Sequence, residues 1–248
     1  MAARILLALL CLLLAEPTAA AAVSVEPNPI SMDATFRGTN VRVRGPAEPG
    51  ARVFVVVTGE RIAEKFNRKG RVGVLWASVG SVHVSRVPRL CLIASSSDSA
   101  VRVDRSVIEQ NLLDLESVVA RAEIEAKGVS RQLMQTEYVR LKKSEGLFGN
   151  FRGAVRVKRG TGQDVFEAVL PWPHSAPPGD YRVDVVHVRD NRVVRRESTA
   201  LTAKLVGLPA WISEMAFRRG TLYGVVSVVV ALAVGFLMGL VFKKGGGH

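Results

Sequence analysis

The side chains of this chain that could do covalent or metal chemistry are few and scattered. His83, His174, His187 and His248 are its four histidines, and Cys11 and Cys91 its two cysteines, in 248 residues. The histidines lie too far apart in sequence to define a metal site, and a histidine on a strand is ordinarily a surface or core residue. Cys91 sits in the apolar run Leu90-Cys-Leu-Ile93, where free cysteine behaves as a small hydrophobe. No Gly-x-Ser-x-Gly elbow, phosphate-binding Gly-rich loop, dinucleotide fingerprint or His-Glu-x-x-His helix occurs. A catalytic reading needs a polar pocket that gathers His83, His174, His187 or Cys91. No catalytic, cofactor-binding or metal-binding residue is assigned, and the expectation is a protein that is not an enzyme.

Charge is the second chemical resource. Lys and Arg number 34 against 22 Asp and Glu, a net +12. Arg189, Arg192, Arg195 and Arg196 cluster around one hairpin, and Arg61, Lys65, Arg68, Lys69 and Arg71 around one loop. A cluster of this kind can contact an anionic surface at about 1 kcal/mol per charge near a membrane. The plainer account is a solvated strand face. In Val41-Arg-Val-Arg44 the valines fall on one side and the arginines on the other, as a half-exposed antiparallel sheet requires. Aromatic residues are only 6%, too few for a base-stacking platform, so nucleic acid is not an expected partner.

The elements that must position these residues are mainly strands. From Val23 to Val103 short alternating runs are cut by turn residues: Ile30 to Phe36, Val41 to Arg44, a more buried Ala51 to Thr58, Val72 to Trp76, Val82 to Val84 and Leu90 to Ala94. The period then changes. Ser106-Val-Ile-Glu109 has the spacing of a capping box, and Ile108, Leu112, Leu115, Val119, Ala122 and Ala126 step by threes and fours toward Gly128. A second helix over Ser130 to about Lys143 would complete an αα-hairpin. Alternation resumes at Phe151, and Tyr181–Val188 and Val193–Leu205 pair as a hairpin across Arg189-Asp-Asn-Arg192. The expected fold is mainly β, an immunoglobulin-like sandwich arrangement with an inserted αα-hairpin. Its β residues form either two small lobes, 23–104 and 147–206, flanking the insert at 105–146, or one composite sandwich.

Both ends of the chain read as membrane signals. Residues 1–22 combine Arg4, an uncharged run from Ile5 to Ala15 and a small-residue exit, the tripartite pattern of a secretory signal. Thr221 to Phe242 carries no charge and is long enough to span a bilayer at ~1.5 Å per residue. Residues 207–220 are the juxtamembrane segment, 221–242 the transmembrane helix and 243–248 a cytoplasmic tail. Trp211, Arg218, Arg219 and Tyr223 on one side, and Lys243 and Lys244 on the other, are the expected interface anchors. Within the span Ser227, Ala231, Gly235 and Gly239 recur every four residues, a stripe that lets helix backbones approach closely in lipid. A cleaved signal followed by one span gives a single-pass protein with its N-terminal ectodomain outside the cytoplasm.

The C-terminal half resembles a family of bacterial transmembrane proteins known chiefly from alphaproteobacteria. The resemblance rests on Glu145-Gly-Leu-Phe148, Val165-Phe166, Pro178-Gly-Asp-Tyr181, Lys204-Leu-Val-Gly207, Leu222-Tyr-Gly224, Gly235 and Phe242-Lys243. It extends more loosely to Lys69–Trp76 and Val87-Pro88. It implies a signal peptide, a β-rich periplasmic region and one C-terminal span in the cytoplasmic (inner) membrane, with a sulfite-exporter-type permease as the kind of polytopic partner. It carries no catalytic residues and no cofactor. The leading expectation is a non-enzymatic accessory protein that acts with another membrane protein or with itself through the span. The alternative is a module that binds an anionic envelope polymer or lipid headgroups through Arg189, Arg192, Arg195 and Arg196.

Overall fold

The computed structural model describes residues 22–243 except 73, 97–101, 127–128, 161–162 and 219. The expected signal falls outside the described residues as far as residue 21, as does the tail beyond Lys243.

Val/Ile-rich alternation builds twelve strands in the described residues. They are β1 (Ser24–Glu26), β2 (Ile30–Met32), β3 (Thr39–Ala47), β4 (Arg52–Gly59), β5 (Arg61–Val72), β6 (Leu75–Pro88), β7 (Cys91–Ser96), β8 (Glu123–Ala126), β9 (Phe148–Lys158), β10 (Asp164–Trp172), β11 (Gly179–Arg189) and β12 (Arg192–Leu205). Nine form one curled sheet in the order β1-β3-β10-β9-β7-β4-β11-β12-β2, and β5-β6-β8 form a second. The two outermost strands of the large sheet, β1 and β2, are consecutive in the chain, joined through Pro27-Asn28-Pro29. Strands from before and after the insert therefore share one sheet: β3 pairs with β10, and β4 with β11.

The curl encloses the main core. Val41, Val43, Val53, Val55, Leu92, Phe166, Trp172, Val183, Val185 and Leu201 are buried there together. Tyr181 closes one end, its ring edge-to-face with Trp172 at 4.6 Å and its hydroxyl donating to the Pro177 carbonyl. The β11–β12 turn follows the expected pattern, with Asp190 and Asn191 at φ 51° and 59°, the paired positive angles that suit a tight hairpin.

The central strands are apolar on both faces because a second layer covers the outer one. Phe54, Val56, Cys91, Ile93, Val186 and Val188 pack against Val84 and Val87 of β6 and against the insert. The insert departs from the expected αα-hairpin. The single helix read from Ser106 toward Gly128 is replaced by α1 (Arg105–Asn111), α2 (Leu115–Ala120) and strand β8. Leu112 turns left-handed at φ 58°, and Asp114 accepts a hydrogen bond from the Ser117 N–H, starting a new helix where the periodicity would have continued the old one. β8 then pairs with Val82–Ser85 of β6. The capping box does not form: the N-cap is Asp104, and Glu109 accepts from Arg105 Nε at 2.6 Å. The second helix is present as α3 (Arg131–Ser144), capped by Ser130.

The basic stretch from Arg61 to Arg71, read as a loop, is strand β5. Ile62, Glu64 and Phe66 are half-buried while Arg61, Ala63, Lys65 and Asn67 are exposed, so a two-residue period underlies the charges. The stretch Val72 to Trp76, read as a strand, contains the turn between β5 and β6, where Val72 pairs with Leu75. After β12 come α4 (Leu208–Arg218) and α5 (Gly220–Lys243).

Candidate membrane interface and buried polar clusters

Helix α5 has 24 residues, about 36 Å at ~1.5 Å per residue, more than the ~30 Å of a hydrocarbon core. Its stretch Tyr223–Leu240 is apolar enough to cross a membrane and none of it is buried, and among the described residues it is the one helix of that kind. A Cβ added at Gly224, Gly235 or Gly239 would meet nothing within 4 Å. Ser227, Ala231, Gly235 and Gly239 thus form an open stripe on one side.

The expected anchors flank this helix. Trp211 on α4 is 55% exposed and Tyr223 on α5 is 42% exposed. Arg218 lies 3.4 Å from Glu214 one turn earlier. Lys243 ends α5, whereas Arg219 and Lys244 lie outside the described residues.

Of the four arginines of the β11–β12 hairpin, Arg189, Arg192 and Arg196 are exposed and Arg195 is half-buried. Arg189 donates to the Pro49 carbonyl at 3.1 Å. Arg195 pairs with Glu48 at 3.1 Å and also with Glu197. Arg196 donates to Asn111 at 2.8 Å, and Arg192 is exposed at the turn. The 14 residues of β12 separate that turn from α4, about 46 Å along the strand at ~3.3 Å per residue. Elsewhere the solvent-face arginines are also matched by acids: Arg42 and Arg44 both reach Glu167, at 3.1 and 2.8 Å.

The candidate nucleophiles and bases stay apart. His83 is exposed on β6 and His174 is exposed in the turn after β10. His187 is fully buried on β11, edge-to-face with Phe166, its Nδ1 accepting from the Glu48 N–H at 3.4 Å. Its Nε2 has no hydrogen-bond partner among the described residues. Burial holds this imidazole below the ordinary histidine range, helped by Arg195 and opposed by Glu48 and Glu197. Cys91 lies in the outer apolar layer, where burial pushes its thiol up to about 12. Among the described residues no three His, Cys, Asp or Glu side chains come together as metal ligands.

The most concentrated polar cluster is one that the sequence reading did not find. Lys142 of α3 is 4% exposed, and its Nζ lies 2.9 Å from Glu64 Oε1 and 3.0 Å from Glu145 Oε2. The Tyr138 hydroxyl donates to Glu64 Oε2 at 2.8 Å. Burial, then this hydrogen bond, raise the Tyr138 hydroxyl well above the usual phenol range. The ammonium also sits 5.8 Å from the Phe66 ring and 5.6 Å from the Tyr138 ring. The cluster ties hairpin β5–β6 to α3. The spacing Tyr138-x-x-x-Lys142 is visible as one helix side, but its partner Glu64 is 74 residues away from Tyr138.

A long apolar helix placed after a curled β domain fits a single-pass membrane protein. A model of the family described as "Putative transmembrane protein (Alph_Pro_TM)" matches residues 21–244, and the chain belongs to that family. Among curated proteins none matches it.

Proposed function

We propose that this protein is a membrane-anchored accessory factor, without catalysis of its own, that presents its β ectodomain on the periplasmic side of a bacterial inner membrane and docks through its span. The carrying observation is the side of α5 on which Ser227, Ala231, Gly235 and Gly239 recur every four residues, whose small side chains would let a neighbouring backbone approach. In lipid such a surface favours close helix packing, and the partner is a polytopic membrane protein, such as a permease of the sulfite-exporter type, or a second copy. A signal peptide at residues 1–22 and a type I orientation complete this reading.

Within it, the curled sheet is an immunoglobulin-like sandwich. What supports this is the strand order: divided at the parallel β9–β7 pairing, the single sheet gives β1-β3-β10-β9 and β7-β4-β11-β12-β2. These orders resemble the A-B-E-D and C′-C-F-G orders of that fold, with β2 as an extra edge strand and the β9–β7 pairing as a departure from it. The bond from Tyr181, near the start of β11, to the carbonyl four residues upstream is the tyrosine corner of the same fold.

In-membrane cross-linking of the full chain, with identification of the captured polypeptide, tests the docking. Capture is expected for the native chain and its loss for a variant carrying Gly235→Leu and Gly239→Leu. Undiminished capture by the double variant removes the proposal. The alternative, binding of an anionic envelope polymer, is supported by exposed Arg192 at the end remote from α4. Its signature is binding that weakens steeply between low and physiological salt.

A further inference from the structure

We infer that α4 is an interfacial helix that lays one side into the headgroup level of the bilayer, setting the β ectodomain down on the lipid rather than holding it off on a stalk. The inference rests on the reading of α5 as a membrane span. β12 ends at Leu205, paired with Met32, and the Val206 N–H still donates to the Met32 carbonyl at 3.0 Å. Helix α4 starts three residues after β12 and ends just before α5. It therefore lies between the last secured strand and the hydrocarbon.

Leu208, Trp211, Ile212 and Met215 occupy positions i, i+3, i+4 and i+7, one side of a helix. Leu208, Trp211 and Ile212 are 61%, 55% and 42% exposed, and no residue of α4 is buried. The Glu214–Arg218 pair runs along the flank. An exposed apolar stripe with a polar flank, continuous with a span, is what a helix in the plane of the interface requires. Trp211 suits the boundary because its indole has an apolar body and one N–H donor.

The end of the ectodomain next to α4 supplies the matching charge. Lys204 precedes α4, Arg37 follows β2, Arg61 begins β5, and Arg89, between β6 and β7, donates its N–H to the Glu60 carbonyl of the β4–β5 junction at 2.8 Å. That junction is placed at the same end by the pairing of Gly59 with Tyr181 and of Tyr181 with Leu201. Asp33, Glu60 and Asp180 share the end, so the positive excess is slight and the apolar stripe carries the contact. The occupant is a phospholipid surface, with anionic headgroups strengthening the seat.

The test uses the full chain in vesicles of zwitterionic lipid, with and without anionic lipid. The acyl chains carry bromine either near the glycerol or near the terminal methyl. The fluorescence present in the native chain and missing from Trp211→Phe reports Trp211. We expect it to lose most of its intensity to the shallow bromines, less to the deep ones, and little to a water-soluble quencher. Free access of the aqueous quencher with no bromine effect makes α4 a stalk in water and overturns the inference. Protection from both overturns it too, because a polypeptide then covers the stripe. A Tyr223→Trp variant, whose added fluorescence reports the start of α5, separates the premises. Bromine quenching of that added signal with none at Trp211 leaves the span standing and rejects the seat, whereas quenching of neither rejects both.

Discussion

Replacing Glu64 by Leu strips a nearly fully buried ammonium of one of its two carboxylates and leaves the Tyr138 hydroxyl without its acceptor. Breaking a buried ion pair from one side costs roughly 3–5 kcal/mol, and an orphaned hydroxyl about 1 kcal/mol more. Two features reduce that total. Glu145 stays 3.0 Å from Lys142 Nζ, and Glu64 is itself 24% exposed, so water already screens the pair. A net loss of about 2–3 kcal/mol follows, a fall in Tm of about 5–10 °C for an ectodomain of this size. The informative measurement is the second step. Adding Lys142→Met to Glu64→Leu replaces the pair by apolar groups of similar volume, a change that is neutral or stabilising where the charge was the liability. Most of the lost Tm is then recovered, although each single variant is destabilised. Thermal unfolding of the full chain in detergent, followed by circular dichroism, reads all four corners of the cycle. Should Glu64→Leu melt with the native chain, or should the double variant melt at the sum of the two single losses, the cluster is not the clamp between hairpin β5–β6 and α3.

Three further outcomes follow from named groups. Burial lowers the His187 pKa from the ordinary 6.5, so below that value the unfolded chain binds more protons at this position than the folded one. The denaturation midpoint is thus highest above the ordinary histidine pKa and falls as pH drops from about 7 to 5, and a His187→Gln variant whose pH slope equals the native one would refute this. Tyr181→Phe removes the donor to the Pro177 carbonyl and lowers stability by about 1 kcal/mol; an unchanged Tm argues against the bond. Cys91, with its thiol raised to about 12 by burial, resists thiol reagents in the native chain at neutral pH and reacts on unfolding, so prompt native labelling at this position would contradict the packing.

How much of this is legible in the sequence depends on whether a signal is local. The β11–β12 hairpin is readable because Asp190-Asn191 are turn residues set between alternating runs, and α3 because Ser130 caps it. The span is readable from length alone. The helix expected across Ile108 to Ala126 fails for a local reason that its periodicity hides: Asp114 is a better N-cap than mid-helix residue. Leu115 and Val119 face the core from α2 either way, so apolar spacing does not distinguish one helix from two helices and a strand. The run from Arg61 to Arg71 reads as a loop because its charges mask the Ile62, Glu64, Phe66 alternation. The Lys142 cluster depends on strand β5 meeting α3, a contact that no window of residues contains. His187 looks like its neighbours on the sequence; only the register that sets it opposite Arg195 and beside Phe166 reveals it as the buried one.

The order of strands in the large sheet also dictates an order of assembly. Synthesis runs from the N-terminus, yet β3 finds its neighbour β10 only when β10 exists, and β2 finds its own only when β12 does. Most of the β domain must therefore be made before its first strands are fully flanked, and pairings of such sequence separation form slowly. The residue that completes the last pairing, Leu205, is followed within three positions by the helix that leads to the membrane. The closing of the sheet and the synthesis of the apolar helix are thus adjacent events, and until the sheet has closed the apolar inner faces of β3 and β4 stand open to any chain that meets them.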